Sequence, residues 1–170
     1  IQKVSLFKDL LIFHGVGVGG GSLVYANTLP VPPDIVFSDP NWPGEHDWKE
    51  RLKSHYVTAE TMLGATEARE TFEADHLLRD VVDNDLGRGD TFRKHNVGVF
   101  YGEPDQTVED PYFNGDGPPR TGCTHCGECM TGCKRNAKNT LDKNYLFLAE
   151  KKGCQIHAET LVTDVIPVPG

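Results

Sequence analysis

Gly15-Val16-Gly17-Val18-Gly19-Gly20-Gly21-Ser22-Leu23-Val24-Tyr25-Ala26-Asn27 is the stretch on which the reading of this chain turns. It follows the apolar run Leu10-Leu11-Ile12-Phe13, whose composition predicts a buried strand ending in a glycine loop. Five glycines within residues 15–21 cost conformational entropy that a close-approach role would explain, the alternative being a glycine-rich surface loop. They point to a backbone that something approaches closely. Gly15-Val16-Gly17-Val18-Gly19-Gly20 matches G-x-G-x-x-G, the pattern that lays backbone N–H groups against a pyrophosphate. The context is wrong for the first turn of a dinucleotide-binding βαβ unit. Pro30, Pro32 and Pro33 cut the following helix short. The acidic residue expected about twenty positions on would be Asp39, which sits in a proline-rich loop. The loop therefore reads as one that lies along a nucleotide or flavin. A nicotinamide-binding fragment using Gly15, Gly17 and Gly20 is a competing reading, and it fails if the preceding strand is not part of a βαβ unit.

Working outward, Pro30 to Pro43 reads as a loop anchored by Trp42. A helix is predicted from Asp47 to Leu63, with Trp48, Leu52, Tyr56, Ala59 and Leu63 on one face and Gly64 as its C-terminal stop. A second is predicted from Thr71 to Leu86, capped by Thr71, with Leu77, Leu78, Val81, Val82 and Leu86 as a packed face. Val97 to Tyr101 reads as a strand. A third helix is predicted from Thr140 to Lys152, closed by Gly153, and Gln155 to Val168 reads as β-rich.

Cys123, Cys126, Cys129 and Cys133 follow C-x2-C-x2-C-x3-C, the spacing of a bacterial ferredoxin cluster loop. Lys134 stands where that pattern has proline. The same four thiolates suit zinc, and a loop of buried or paired cysteines stays open beside both. Cys154 lies beyond the third helix.

The chain has 170 residues and a formal charge of −8 from 17 basic and 25 acidic side chains. Its basic residues are scattered, and Arg93-Lys94-His95 reads as a solvated loop, so neither nucleic acid nor an anionic membrane is an expected partner. No apolar run reaches the length of a membrane span. A start at Ile1 and a stop at Pro169-Gly170 are read as those of an internal or processed piece. Compartment stays open between cytoplasm and secretion.

The residues also resemble a known family. Gly17 to Asn27 resembles the second flavin-binding segment of the glucose–methanol–choline (GMC) oxidoreductases, in their cholesterol oxidase-like branch. Asn136-Ala137-Lys138-Asn139-Thr140-Leu141-Asp142-Lys143-Asn144-Tyr145-Leu146 resembles the helix that returns to the flavin domain there. Asp39 to Trp42, Met62 to Gly64 and Val97 to Glu103 are similar to bacterial members, as is the cysteine run with Gly122, Gly127 and Gly132.

The resemblance implies a mixed α/β (α+β) fold. Residues 1–30 and 136–170 would be FAD-binding domain segments, and residues 31–135 an inserted substrate-side subdomain. It implies FAD as cofactor, with Gly17, Gly19, Gly20, Gly21 and Ser22 near pyrophosphate and ribityl, and Tyr25 and Asn27 nearer the isoalloxazine. Val162 would meet the adenine through its backbone. The implied activity is oxidation of the CH–OH group of a lipophilic alcohol such as a sterol, with oxygen or another acceptor taking the electrons from the flavin. The amino-terminal fingerprint and the catalytic histidine and asparagine are expected outside this chain. None of His14, His46, His55, His76, His95, His125 and His157 matches a catalytic motif. A metal on the cysteine run remains the alternative, as the core of an electron-transfer module. Without neighbouring strands the isolated piece is expected to be unstable or aggregation-prone.

Overall fold

The structure is a computed structural model that describes residues 2–44 and 46–168. It combines short helices with three antiparallel strand pairs, a mixed helix-and-sheet arrangement. Strands β1 (Gln2–Leu6) and β2 (Leu11–Gly15) form a ribbon in which Val4 faces Phe13 and Gln2 faces Gly15. The predicted strand at Leu10–Phe13 is therefore present, one residue later, but it is not buried. Leu11 is 59% exposed and Phe13 43% exposed, because no further strand or helix covers the two-stranded ribbon. The antiparallel pairing also overturns the nicotinamide reading. β1 and β2 are joined by a turn closed by the Phe7 N–H on the Leu10 carbonyl, and no βαβ unit leads into Gly15.

Past the glycine loop, α1 (Asp34–Phe37) and α2 (Trp48–Met62) are held by an aromatic cluster. Trp42 stacks on Trp48 at 5.5 Å and on Phe37 at 6.0 Å, and its indole N–H donates to the Val36 carbonyl. Half-buried Trp42 thus anchors the proline-rich segment as its sequence suggested. Helix α2 starts where the Asp47 carboxylate accepts the Glu50 N–H, and it ends at Gly64 with φ +58°. A Cβ on Gly64 would lie 2.6 Å from Asn139 Nδ2 and from the Tyr112 ring. That glycine therefore serves close packing as well as helix termination.

Two helices differ from expectation. Helix α3 covers only Glu73–Asp80 and continues as a wider π turn over Val81–Asp85. Thr71 does not cap it. The Asp75 carboxylate instead accepts the Phe72 N–H, holding the first turn one residue later. Its apolar face is not packed. Leu77 and Leu86 are each 61% exposed, since none of the described elements lies across them. The third predicted helix is split. A 3₁₀ turn at Leu141–Lys143 breaks at Asn144, whose side chain then caps α4 (Tyr145–Lys151) through the Tyr145 N–H. Residues Gln155 to Val168 form no strand, because an extended run needs a neighbour to pair with and finds none.

The centre is a ladder around Val97 to Phe100. β3 (Thr66–Glu67) pairs with β4 (Asn96–Val97), and β5 (Thr107–Val108) pairs with β6 (Arg120–Thr121). On one side the Gly98 N–H donates to the Asn27 carbonyl. On the other, the Phe100 N–H donates to Ala137 and the Asn139 N–H donates to Gly98. The ladder joins the glycine loop to the segment that opens at Ala137. Buried side chains here are few: Val24, Val99 and Ala137, with Arg120, Lys138, Asn139, Thr140 and Asn144.

Gly122 marks the tightest approach of one backbone to another, where a Cβ would stand 2.0 Å from the Glu103 carbonyl oxygen. Gly122→Ala is expected to lower stability by at least ~2 kcal/mol through forced backbone displacement. Denaturant unfolding of the two proteins tests this, and equal midpoints would show that the crossing tolerates a methyl group.

Candidate functional site

The glycine loop leaves β2 at Gly15, and a Cβ there would collide with the Gly20 carbonyl at 2.4 Å. The loop folds back through Gly17 and Gly19, at φ +145° and +104°, into a 3₁₀ turn at Gly20–Leu23. Gly20 and Gly21 have nothing within 4 Å of a hypothetical Cβ, so this stretch presents bare backbone to open space. Among the described residues, the N–H groups of Val18 and Gly19 find no acceptor. Successive unpaired N–H groups beside left-handed glycines form a concave anion-binding surface.

This loop is pinned to a segment more than a hundred residues away. The Leu141 N–H donates to Ser22 Oγ at 2.9 Å, while that hydroxyl donates to the Gly19 carbonyl at 2.6 Å. The Tyr25 hydroxyl donates to the Asn139 carbonyl at 3.0 Å. Lys138 Nζ donates to the Leu23 carbonyl at 3.1 Å and lies 4.4 Å from the centre of the Tyr25 ring. Burial, and then the Cys129 thiol, push the Tyr25 phenol up to about 12. Burial pushes the Lys138 ammonium below its ordinary value, with Cys129 and Cys133 pulling the other way.

Beneath these contacts sits a buried polar knot. Arg120 is 1% exposed and its guanidinium has no carboxylate partner among the described residues. It donates to the carbonyls of Asn136 at 3.1 Å and Lys138 at 2.9 Å, and to the Asn139 side-chain oxygen. Asn139 in turn donates to the carbonyls of Leu63 and Gly64 at the end of α2 and to the Tyr112 hydroxyl. Tyr112 is delivered by a loop wound around Asp110, whose carboxylate accepts the N–H groups of Tyr112, Phe113, Gly115 and Gly117. Burial alone would raise that carboxyl, and the four N–H bonds outweigh it and lower it.

The cysteine run forms a loop from Gly122 to Arg135 whose base is closed by Arg120. Cys123, Cys126, Cys129 and Cys133 all line one cavity of about 310 Å³ together with Tyr101 and His125. The four are free thiols, as is Cys154, which is exposed and apart from the cavity. Asn27 Nδ2 donates to Cys129 Sγ at 2.8 Å, joining the cavity wall to the glycine loop. Burial acts to raise the Cys133 thiol, but the N–H groups of Lys138, Ala137 and Arg135 directed at it bring it below its ordinary value. Among the described residues no three His, Cys, Asp or Glu side chains already meet at a distance that holds a metal ion.

Of the residues singled out from sequence, Gly17, Gly19, Gly20, Gly21, Ser22, Tyr25 and Asn27 come together in one loop. Val162 does not join them. It lies in the exposed, unpaired stretch after α4, 72% exposed, with no hydrogen bond to the loop. Sequence reasoning missed Arg120 and Asp110. Arg120 precedes the cysteines by only three positions, and its acceptors are mostly main-chain carbonyls, which leave no trace in sequence. The one signal for Asp110 was an aspartate at the head of a Gly- and Pro-rich turn.

No family model and no solved structure matches the chain. Curated relatives do. The chain is 48% identical over 172 residues to a cholesterol oxidase of Acinetobacter baumannii, covering 99% of this chain and 31% of that protein. It is 48% identical over 167 residues to cholesterol oxidases of two Mycobacterium tuberculosis strains, CDC 1551 / Oshkosh and ATCC 25618 / H37Rv, covering 95% of this chain and 29% of each. The chain thus spans about a third of the length of the curated relatives it matches.

The Tyr25 phenol gives a pH signature. An unfolded tyrosine ionises near 10.0 and the folded one near 12, so its neutral form is the one that folding favours. The stability it contributes is complete below pH 10 and disappears as pH rises to about 12, a loss of ~2–3 kcal/mol. Tyr25→Phe is expected to flatten that interval in denaturant titrations. Parallel curves for the two proteins between pH 10 and 12 would contradict it.

Proposed function

We infer, for a chain that belongs to a cholesterol oxidase-like family, that it is an internal segment of an FAD-dependent oxidoreductase of the GMC type, oxidising the CH–OH group of a sterol-like alcohol. Residues 1–30 and 136–170 contribute to the flavin domain in this reading, and 31–135 to the substrate-side subdomain. One observation carries it: the stretch that resembles the family's second flavin-binding segment is bonded directly to the stretch that resembles the helix returning to the flavin domain. Ser22, Leu23 and Tyr25 on one side meet Leu141, Lys138 and Asn139 on the other. The apolar surfaces left bare on the β1–β2 ribbon and on α3 suit a segment completed by the rest of a larger fold.

The residues present fit a flavin. The glycine loop offers free N–H groups at Val18 and Gly19 and an open face at Gly20 and Gly21, where any side chain would fill the space a ligand needs. Bound FAD would supply the hydride acceptor for alcohol oxidation. The chain's own residues bind and orient. Gly17, Gly19, Gly20 and Gly21 take the pyrophosphate and ribityl against their backbone. Ser22 spends its hydroxyl on Gly19 and Leu141, so it fixes the loop's shape. Tyr25 spends its hydroxyl on Asn139 and braces the loop from behind, while Asn27 sets its exit at positive φ with its amide on Cys129. Val162 reaches the adenine once its strand finds a neighbour. The base that takes the alcohol proton comes from the part of the protein outside this chain. Oxygen or another acceptor completes the cycle.

Gly21 separates binding from folding, because a Cβ there has nothing within 4 Å and its φ is ordinary. In the full-length protein, Gly21→Leu is expected to keep the melting temperature of the flavin-free form and to weaken FAD binding at least tenfold, about 1.4 kcal/mol. Visible absorbance of oxidised flavin and a binding titration read this out. Absence of flavin in the wild-type protein, or full retention in the variant, would overturn the reading.

A further inference from the structure

We propose that Cys123, Cys126, Cys129 and Cys133 form a four-thiolate site for a thiophilic metal centre, a function independent of the flavin reading. Three observations carry it. The first is convergence. In the ferredoxin pattern of the same spacing the fourth cysteine serves a different cluster. Here Cys133 lines the same cavity as the other three, so one loop carries a complete set of four donors.

The second is the loop itself. Its chain reverses at left-handed residues, His125 at φ +55°, Gly127 at +76° and Gly132 at +111°, turns that bring successive cysteines to one side. Its base is fastened. The Arg120 side chain holds the Asn136 and Lys138 carbonyls, and Asn136 Nδ2 donates to Pro119 at 2.9 Å. A loop tied at both ends and left without a disulfide has room to close around an ion or cluster. The third is the surroundings of the sulfurs. Cys129 Sγ accepts the Asn27 amide at 2.8 Å, and Cys123 Sγ accepts the His125 N–H at 3.4 Å. Lys138 Nζ is fixed 2.8 Å from the Cys129 carbonyl, a positive charge beside a site that carries negative charge once loaded. Donors to sulfur and a nearby cation are what tune and stabilise thiolate-bound metals. Thr124, on the cavity wall, keeps its hydroxyl buried with no hydrogen-bond partner among the described residues.

Four soft donors select zinc or an iron–sulfur cluster over calcium or magnesium. The cavity, at about 310 Å³, has room for either. The sulfurs do not yet meet at one point, so loading draws them inward by side-chain rotation on a fixed base.

The test uses the full-length protein, purified without oxygen and without chelators, analysed for metals and acid-labile sulfide. One metal centre per chain is the expected result, either one zinc ion or one cluster's worth of iron. Iron with matching sulfide identifies a cluster and zinc without sulfide a single ion, and either supports the site. Cys126→Ser and Cys133→Ser are expected to lower metal content at least tenfold, and Cys154→Ser to leave it unchanged. Should the serine variants fail to fold, native wild-type protein is titrated with a thiol reagent. Cys154 is then expected to react at once, and the other four only after a chelator strips the metal. Metal below a tenth of the chain concentration, metal unaffected by the serine substitutions, or all five thiols reacting at once in the untreated protein would each overturn the proposal. Flavin absorbance is recorded separately, so its loss does not decide the outcome.

Discussion

A buried guanidinium that no described carboxylate pairs with holds this structure together. Arg120 is withdrawn from water almost completely, and a cation in that position costs several kcal/mol unless its donors are used. Its Nε, Nη1 and Nη2 each have an acceptor: the Asn136 carbonyl, the Asn139 side-chain oxygen and the Lys138 carbonyl. The planar fork suits this task in a way that an ammonium cannot, because three acceptors in one strand-like segment are addressed from fixed directions. Charge-assisted bonds to carbonyls offset the desolvation, and the Tyr112 ring 5.8 Å away adds a polarisable wall. Everything distant is attached through the residues Arg120 fixes. Asn139 reaches the end of α2, Lys138 and Asn139 reach the glycine loop, and Asn136 closes the cysteine loop.

The polar character of this centre follows from how little apolar surface is available there. With Val24, Val99 and Ala137 as the buried aliphatics, hydrogen-bonded side chains define the packing. Such contacts are directional, so they specify position more sharply than they stabilise. That suits the proposed task of holding a backbone surface in register with a ligand. Gly98 shows the same economy. A Cβ there would come within 2.5 Å of the Tyr25 hydroxyl, so the ladder is kept bare to let the phenol cross to Asn139.

What could be read from sequence was whatever is decided locally. Helix α2 carries its periodic face and its terminating glycine within eighteen residues, from Asp47 to Gly64, and both appear where expected, while Asp47 turns out to be its cap. The glycine loop is also local, since its composition alone demands an open backbone. The misreadings share one cause. Leu11 and Phe13, the α3 face and the run from Gln155 to Val168 all have patterns that presume a covering neighbour, and none of the described residues supplies it. Arg120 and Asp110 were missed for the converse reason. Their partners are mostly main-chain groups, and sequence pattern reports side chains. For the flavin contacts, sequence placed seven of the eight named residues in one loop, but it could not show that Ser22 and Tyr25 spend their hydroxyls inside the protein.

The glycine loop and the cysteine loop, separate motifs in sequence, turn out to share their supports. Asn27 ends one loop and bonds a sulfur of the other. Lys138 Nζ divides its donors between the Leu23 carbonyl of the first and the Cys129 carbonyl of the second. A single ammonium cannot follow two carbonyls that move apart, so the two loops can shift only together or by giving up one of these bonds. Each lost bond would strand a polar group in a place where water has poor access, at a cost of about 1–3 kcal/mol. Whatever fastens the cysteines therefore also narrows the positions open to the glycine backbone. The short separation of Asn27 from Cys129 makes that coupling a matter of direct contact, with no chain of intermediates required.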